Sequence, residues 1–345
     1  MYLFQGETAD EVWRQAYRAV TTSGTHQSGR GGSTVELLHV VLEVRDPRQR
    51  WIVSRRPVIN PAFGIAEVVW LLAGSNDAGV LNYWFPRLPE FAGESPTYDG
   101  AYGYRLRKQF NVDQVRRAYE ALSANPSTRQ VVLQYWDPRF DLPQQNGLQS
   151  SADIPCNLVS LLKIRDGRLE WTQVMRSNDL IRGLPTNFAQ FTCLQEIMAG
   201  WLGVEVGSYH HWSDSLHVYS RDFSKFSCVP DVPPLAGNTD SLAIDMVRGE
   251  AVILELYRRM VEMTAQDVGI KTLEDLASFP NAPHGYQNLL RVLGAESSRR
   301  RDRREQAAAM MAECTNPQLV QAWMAWTEQM LSKTDRLASG SHTLG

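Results

Sequence analysis

The chain has 345 residues, 43% of them hydrophobic and 10% aromatic, which suffices for a packed core and excludes a disordered chain. Its 35 Lys and Arg nearly balance 38 Asp and Glu, so the basic excess of a dedicated nucleic-acid binder is missing. No apolar run approaches a membrane span, and the start Met1–Trp13 lacks a signal peptide's basic and apolar regions. The four cysteines (156, 193, 228 and 314) show neither CxxC nor zinc spacing, so a soluble, cytoplasmic protein with free thiols and no metal is expected.

In chain order, Thr8-Ala-Asp-Glu11 has the form of a capping box, and Val12, Trp13, Ala16, Tyr17 and Val20 follow on one helical face. Thr34–Val44 is β-branched and apolar and predicts a strand, and Asp46-Pro-Arg-Gln predicts a turn before a further strand at Trp51–Ser54. Pro61 begins a predicted helix that reaches about Ala73. Another spans Asp113–Ala124, stopped by Asn125-Pro126, before a strand at Gln130–Trp136. Leu158–Ile164 and Leu169–Arg176 flank Arg-Asp-Gly-Arg as the clearest hairpin. A long apolar helix is predicted over Asn187–Leu202 and a strand over Gly207–Tyr219. This irregular alternation reads as α+β. Beyond the Pro-rich Val229–Pro234 nearly everything reads helical. The expected organisation is therefore a catalytic domain over 1–235, a helical C-terminal extension over 241–337 and a mobile tail over 338–345. The run Arg299–Arg304 is placed on an extension helix, as a solvated or dimer-facing surface rather than a nucleic-acid contact.

Few residues carry chemistry by type and spacing. Gly29-Arg-Gly-Gly-Ser33 is no nucleotide-binding turn, and it reads as a flexible loop or as an Arg-bearing loop that closes on an anion. Cys156 follows a proline and begins the hairpin strand whose partner ends at Arg176-Ser177-Asn178-Asp179. The hairpin brings Cys156 and Arg176 to one open end, where a guanidinium favours the nucleophilic thiolate. Arg176 and Ser177 also suit a phosphate dianion. Gly183-Leu-Pro-Thr-Asn187 opens a helix with an amide that can read a base edge, and His217 and Tyr219 share one strand face.

At these residues the sequence resembles the thymidylate synthase superfamily, in motif versions like those of the phage-type pyrimidine nucleotide 5-hydroxymethylases. In that family a Pro-Cys supplies the thiolate, Arg-Ser-x-Asp grips phosphate, Gly-Leu-Pro-x-Asn reads the pyrimidine and His-x-Tyr holds the sugar. All four occur here in order, and the likeness covers about residues 28–225. It implies a mixed β-sheet packed by helices, with the extension added. It also implies 5,10-methylenetetrahydrofolate as one-carbon donor, and a homodimer in which Arg129 reaches the partner's phosphate site. Cys156 would be the nucleophile, and Glu67, helped by Tyr102, the acid/base. Arg30, Arg129, Arg176, Ser177 and Asp179 would serve the anion site, Asn157 and Asn187 the base, and His217 and Tyr219 the sugar.

Three departures favour a hydroxymethyl over a methyl product. A helical extension replaces the synthases' short apolar C-terminal tail. The segments Met175–Asp179 and Ser215–Phe223 resemble the hydroxymethylase versions, and Asn157 stands where the synthases have His after the Cys. For the base, Asn187 favours uracil by resemblance, yet a flipped amide accommodates cytosine equally well, so dUMP is favoured and dCMP or CMP stays open. The alternatives are a thymidylate synthase with an appendage and, remotely, a non-catalytic nucleotide- or RNA-binding relative. The presence of Cys156, Glu67 and Asn187 argues against the last.

Overall fold

The computed structural model describes residues 1–29, 31–229 and 237–340, the stretch 333–340 as backbone alone. Strand β1 (Tyr2–Gly6) and helix α1 (Ala9–Ser23) lead to β2 (Thr25–Gly29), β3 (Gly32–Val44) and β4 (Arg55–Arg56). Next come α2 (Pro61–Leu72), α3 (Ala78–Trp84), α4 (Pro89–Ala92) and α5 (Tyr102–Tyr104), the last running into a π-helical turn. Then follow α6 (Gln114–Ala124), β5 (Val132–Gln134), α7 (Pro138–Asp141), β6 (Asn157–Arg165), β7 (Arg168–Met175) and β8 (Asn178–Asp179). Helix α8 (Gly183–Leu202), β9 (Glu205–Tyr219) and β10 (Ser227–Cys228) complete this part.

One mixed sheet, in the order β1-β3-β9-β7-β6-β5 with β2 on β3 and β8 on β9, forms the frame. β1 pairs parallel with β3 and β7 parallel with β9, while β3–β9 and β6–β7 are antiparallel, which agrees with the α+β reading. The capping box forms as its sequence dictates: Glu11 N donates to Thr8 Oγ1 at 3.1 Å and Thr8 N to Glu11 Oε2 at 3.3 Å. Asp166 and Gly167 turn the β6–β7 hairpin with φ of 49° and 72°. Helix α8 is buried almost all round between the sheet and α2, which is why its sequence is apolar on every face. It begins at Gly183, four residues before the expected start.

Two strand expectations change. Trp51–Ser54 joins no ladder, because Asp10 Oδ1 accepts from Val53 N, Ser54 N and Ser54 Oγ, each at 2.8 Å. The carboxylate takes the donors that a neighbouring strand would have used. Gln130–Trp136 contracts to the three residues of β5, an edge strand.

The C-terminal part consists of α9 (Met246–Glu262), α10 (Ile270–Ala277), α11 (His284–Arg299), α12 (Arg304–Ala312) and α13 (Pro317–Gly340). Helices α9, α11 and α13 pack on α2, and α9 also on α8. Polar ties reinforce this packing: Leu242 N donates to Glu196 Oε1 at 2.9 Å, Ser75 Oγ lies 2.8 Å from Tyr257 Oη, and Val58 N donates to Gln329 Oε1 at 2.8 Å. Arg299–Arg304 is not one helical face. Helix α11 ends at Arg299, and the turn to α12 passes through Asp302 at φ 56°. Its guanidiniums are used within the chain: Arg300 Nη2 donates to Trp84 O at 2.6 Å, Arg301 Nη1 to Tyr83 Oη at 2.7 Å, and Arg303 Nη1 to Val268 O at 2.9 Å.

Candidate active site

The open end of the β6–β7 hairpin brings the thiol and the guanidinium together as expected. Arg176 N donates to Cys156 O at 2.9 Å, extending the ladder past a bulge at Asn157. The Arg176 side chain turns back, with Nε 3.0 Å from Pro155 O and Nη2 3.2 Å from Ile154 O. The guanidinium is thereby pinned beside the half-buried Cys156. Burial nevertheless outweighs it: the thiol is pushed above its ordinary value, with Asp153 and Asp179 adding to burial and Arg176 opposing. The guanidinium alone therefore does not make a thiolate here, contrary to the simple expectation.

The carboxyl group comes from α2. Burial pushes Glu67 up to about 7, while hydrogen bonds from Thr186 and Gln190 of α8 pull the other way, and Glu67 Oε2 is buried with no partner. Such a carboxyl is populated in both forms at neutral pH, as an acid/base must be. Tyr102 packs edge-on to Tyr135 at 5.8 Å. Its hydroxyl is held well above the usual range chiefly by burial, with Cys156, Asp153 and Glu67 adding and nearby Asn157 opposing. Gly103 makes this placement possible, since a Cβ there would sit 2.1 Å from Leu71 O of α2.

Asn157 is fully buried and its orientation follows from its neighbours. The Trp171 indole, which can only donate, lies 3.2 Å from Gln173 Oε1, so Gln173 Nε2 must face Asn157 Oδ1, at 2.7 Å. Asn157 Nδ2 is left buried without a hydrogen-bond partner, on the side of Tyr102.

Ser177, Asp179, Asn187, His217 and Tyr219 gather where the short strand after the hairpin, α8 and the end of β9 meet. Ser177 Oγ lies 3.5 Å from His217 Nδ1, and the His217 and Tyr219 rings meet edge to face with centroids 5.3 Å apart. Burial lowers the His217 value against the pull of Asp179 and Glu36. Asp179 Oδ1 accepts from Ile181 N and Arg182 N at 2.8 and 2.9 Å, which sets the entry to α8. Asn187 sits in the first turns of α8, with Nδ2 3.2 Å from Asn178 Oδ1. Arg30 lies outside the described residues. Its neighbour Gly31 packs so closely on Tyr219 that a Cβ would fall 2.8 Å from the ring. Arg129 is apart from this cluster, exposed on the turn after α6.

Several residues of the site escaped the sequence reading. Arg221 stacks over Tyr219 at 4.8 Å and donates to Gly31 O at 3.1 Å, adding a cation beside the Gly-rich loop. Thr186 and Gln190 hold Glu67. His211 lies on the buried face of β9 with Tyr209 and Ser213, and the alternation shifts before Leu216 and Val218, so counting by twos back from His217 does not reveal it.

A half-buried thiol, an adjacent guanidinium and a carboxyl poised near neutrality lie together beside a helix that opens with an amide. Comparison with known proteins agrees with that chemistry. Residues 11–229 match the family model described as thymidylate synthase. The chain belongs to the thymidylate synthase family. It is 33% identical over 273 residues to a protein of Bacillus phage SP01 named deoxyuridylate hydroxymethyltransferase, covering 76% of this chain and 68% of that one. A protein of the same name from Pseudomonas phage M6 is 31% identical, over 69% of this chain and 68% of its own length. The thymidylate synthase of Bacillus licheniformis is 32% identical, over 52% of this chain and 67% of its own. This family member is a one-carbon transferase, and thymidylate synthase-family enzymes use methylenetetrahydrofolate. Among the described residues no helix is long and apolar enough to cross a membrane.

The Glu67 environment predicts a pH signature. A carboxyl raised from 4.5 to about 7 binds more protons folded than unfolded over that interval, so its contribution to stability declines as pH rises through about 7. Glu67→Gln should melt above the wild type at pH 8 and lose most of that advantage below pH 5. Its turnover should fall by about 10²–10⁴-fold, the range for a lost acid/base. Melting curves that shift equally at both pH values would refute the buried, neutral-leaning carboxyl.

Proposed function

We propose that this protein is a deoxyuridylate hydroxymethyltransferase. One observation carries the choice of product. The similarity to the SP01 enzyme covers 76% of the chain, more than the 229 residues up to the end of the family match, so it reaches into the helical extension. The match to the B. licheniformis synthase covers 52%.

In this reading the Cys156 thiolate adds to C6 of the pyrimidine, which makes C5 nucleophilic. Methylenetetrahydrofolate would supply the one-carbon unit, and Glu67, whose Oε2 is buried without a partner, would face the transfer. Glu67 takes up and returns protons at C5 and at water, with the Tyr102 hydroxyl holding that water. Water completes the hydroxymethyl group, tetrahydrofolate leaves unoxidised, and Cys156 departs from C6. Arg176, Ser177, Arg221 and the loop bearing Arg30 receive the phosphate, His217 and Tyr219 the sugar, and Asn187 the base.

The working unit is a homodimer. Opposite the helices, the sheet presents Val41, Trp212, Val174, Leu161 and Val132 on one face, with Trp212 42% and Val132 49% exposed. A second copy covering that face would bring Arg129 toward the partner's phosphate site. The four free thiols support a reducing, cytoplasmic setting.

The deciding experiment incubates the full chain with 5,10-methylenetetrahydrofolate and UMP, CMP, dUMP or dCMP. The expected outcome is 5-hydroxymethyl-dUMP by mass spectrometry without dihydrofolate by absorbance. A methyl product with stoichiometric dihydrofolate would make it a thymidylate synthase.

A further inference from the structure

A uracil site must accept from N3–H and match O4 with a donor, whereas cytosine requires the reverse at both atoms. A free Asn side chain can rotate to satisfy either. Asn187 is not free. Its Nδ2 lies 3.2 Å from Asn178 Oδ1 and 3.5 Å from Met175 Sδ. Asn178 Nδ2 in turn lies 3.4 Å from the same sulfur and 2.9 Å from His211 Nε2, and His211 Nδ1 is 2.9 Å from Tyr209 Oη.

The thioether sulfur selects between two possible sets of orientations. A thioether sulfur has no proton to give, so both amide nitrogens face Met175. Rotating Asn187 would bring its oxygen against Asn178 Oδ1 and the sulfur together. Rotating Asn178 in compensation would turn a second oxygen to the sulfur and move the His211 proton to Nε2, with Tyr209 Oη donating to Nδ1, so the sulfur decides between the two sets. His211 is fully buried, and burial pushes its value down to about 3, so the ring carries a single proton. With Asn178 donating to Nε2, that proton sits on Nδ1 and goes to Tyr209 Oη. Asn178 is 2% exposed, so water offers no substitute partner.

We propose that Asn178 and His211, clamped at Met175, are positioning residues that hold the Asn187 amide with its oxygen toward the base, and so select a 4-oxo over a 4-amino pyrimidine. This rests on the reading of Asn187 as the base reader. It assigns the specificity to residues one and two hydrogen bonds behind it. The neighbouring Asn157, whose nitrogen is fixed as a donor by Trp171 and Gln173, supplies a donor of the kind a 4-oxo group requires.

The test measures kcat/KM for dUMP and dCMP side by side, in full-length wild type, Asn178→Ala and His211→Phe. An aromatic ring is tolerated at 211, since Phe188 already meets the imidazole edge to face at 5.6 Å. The wild type should prefer dUMP. Each variant should lose roughly tenfold or more of the dUMP:dCMP ratio, chiefly by gaining on dCMP. Met175→Leu preserves volume, removes the acceptor and should move the ratio the same way, which keeps the test open if a larger change unfolds the protein. A ratio unchanged while both activities fall together would mean ordinary structural residues and overturn the inference. A wild type that already prefers dCMP would overturn the function proposed above and the relay with it.

Discussion

Cys156→Ala should lose turnover by roughly 10⁴-fold or more while binding dUMP about as well as the wild type, because a covalent nucleophile contributes to the barrier and little to ground-state affinity. The thiol sits at the hairpin's open end beside Arg176, whose guanidinium is already tied to Pro155 O and Ile154 O, so removing Sγ leaves the local frame standing. Retained turnover would remove the covalent mechanism. The same variant tests the proposed dimer. Arg129→Ala and Cys156→Ala chains are each expected to be inactive alone. Mixed one to one, they should recover about a quarter of the sites, since half the dimers are hybrid and each hybrid holds one intact site. No recovery after verified subunit exchange would reject the shared site.

The second large effect is expected from ending the chain at Asn238. Helices α9, α11 and α13 cover α2, and α2 carries Glu67. Leu242, Ile253, Leu256, Tyr286 and Leu290 are all buried in the core shared with Ile65 and Leu72. Gly200 of α8 lies so close to Ala243 that a Cβ would sit 2.6 Å from its Cα. Each large apolar side chain contributes about 1.5–3 kcal/mol on burial, so losing five at once rivals the ~5–15 kcal/mol of a whole domain. The truncated chain should therefore be insoluble or melt without cooperativity. A soluble, cooperatively melting and active 1–238 fragment would show instead that the extension is an independent unit.

The hairpin was legible because its signals are local. Asp166-Gly167 can adopt the positive φ that the turn needs, and the strand pattern on either side sets the register that opposes Cys156 to Arg176. His217 and Tyr219 were legible for the same reason, two residues apart on one strand. Trp51–Ser54 was misread because the partner of its backbone is the side chain of Asp10, more than 40 residues away, which no strand pattern can announce. The basic run was placed on one helix because charge patterns carry no record of the carbonyls of Tyr83, Trp84 and Val268 that attract it.

The sequence by itself determined the family chemistry. A Pro-Cys, an Arg-Ser-x-Asp, a Gly-Leu-Pro-x-Asn and a His-x-Tyr in fixed order mark the family and nominate a nucleophile, an anion grip and a reader, because residue type limits what each group can do. Protonation and orientation were decided by the tertiary structure. Cys156 lies beside an arginine and yet is pushed up, Glu67 rises to about 7, and the Asn187 amide faces one way because Asn178, Met175 and His211 surround it. Desolvation and hydrogen-bond polarity depend on every atom packed around a group, and those atoms come from segments far apart in the chain.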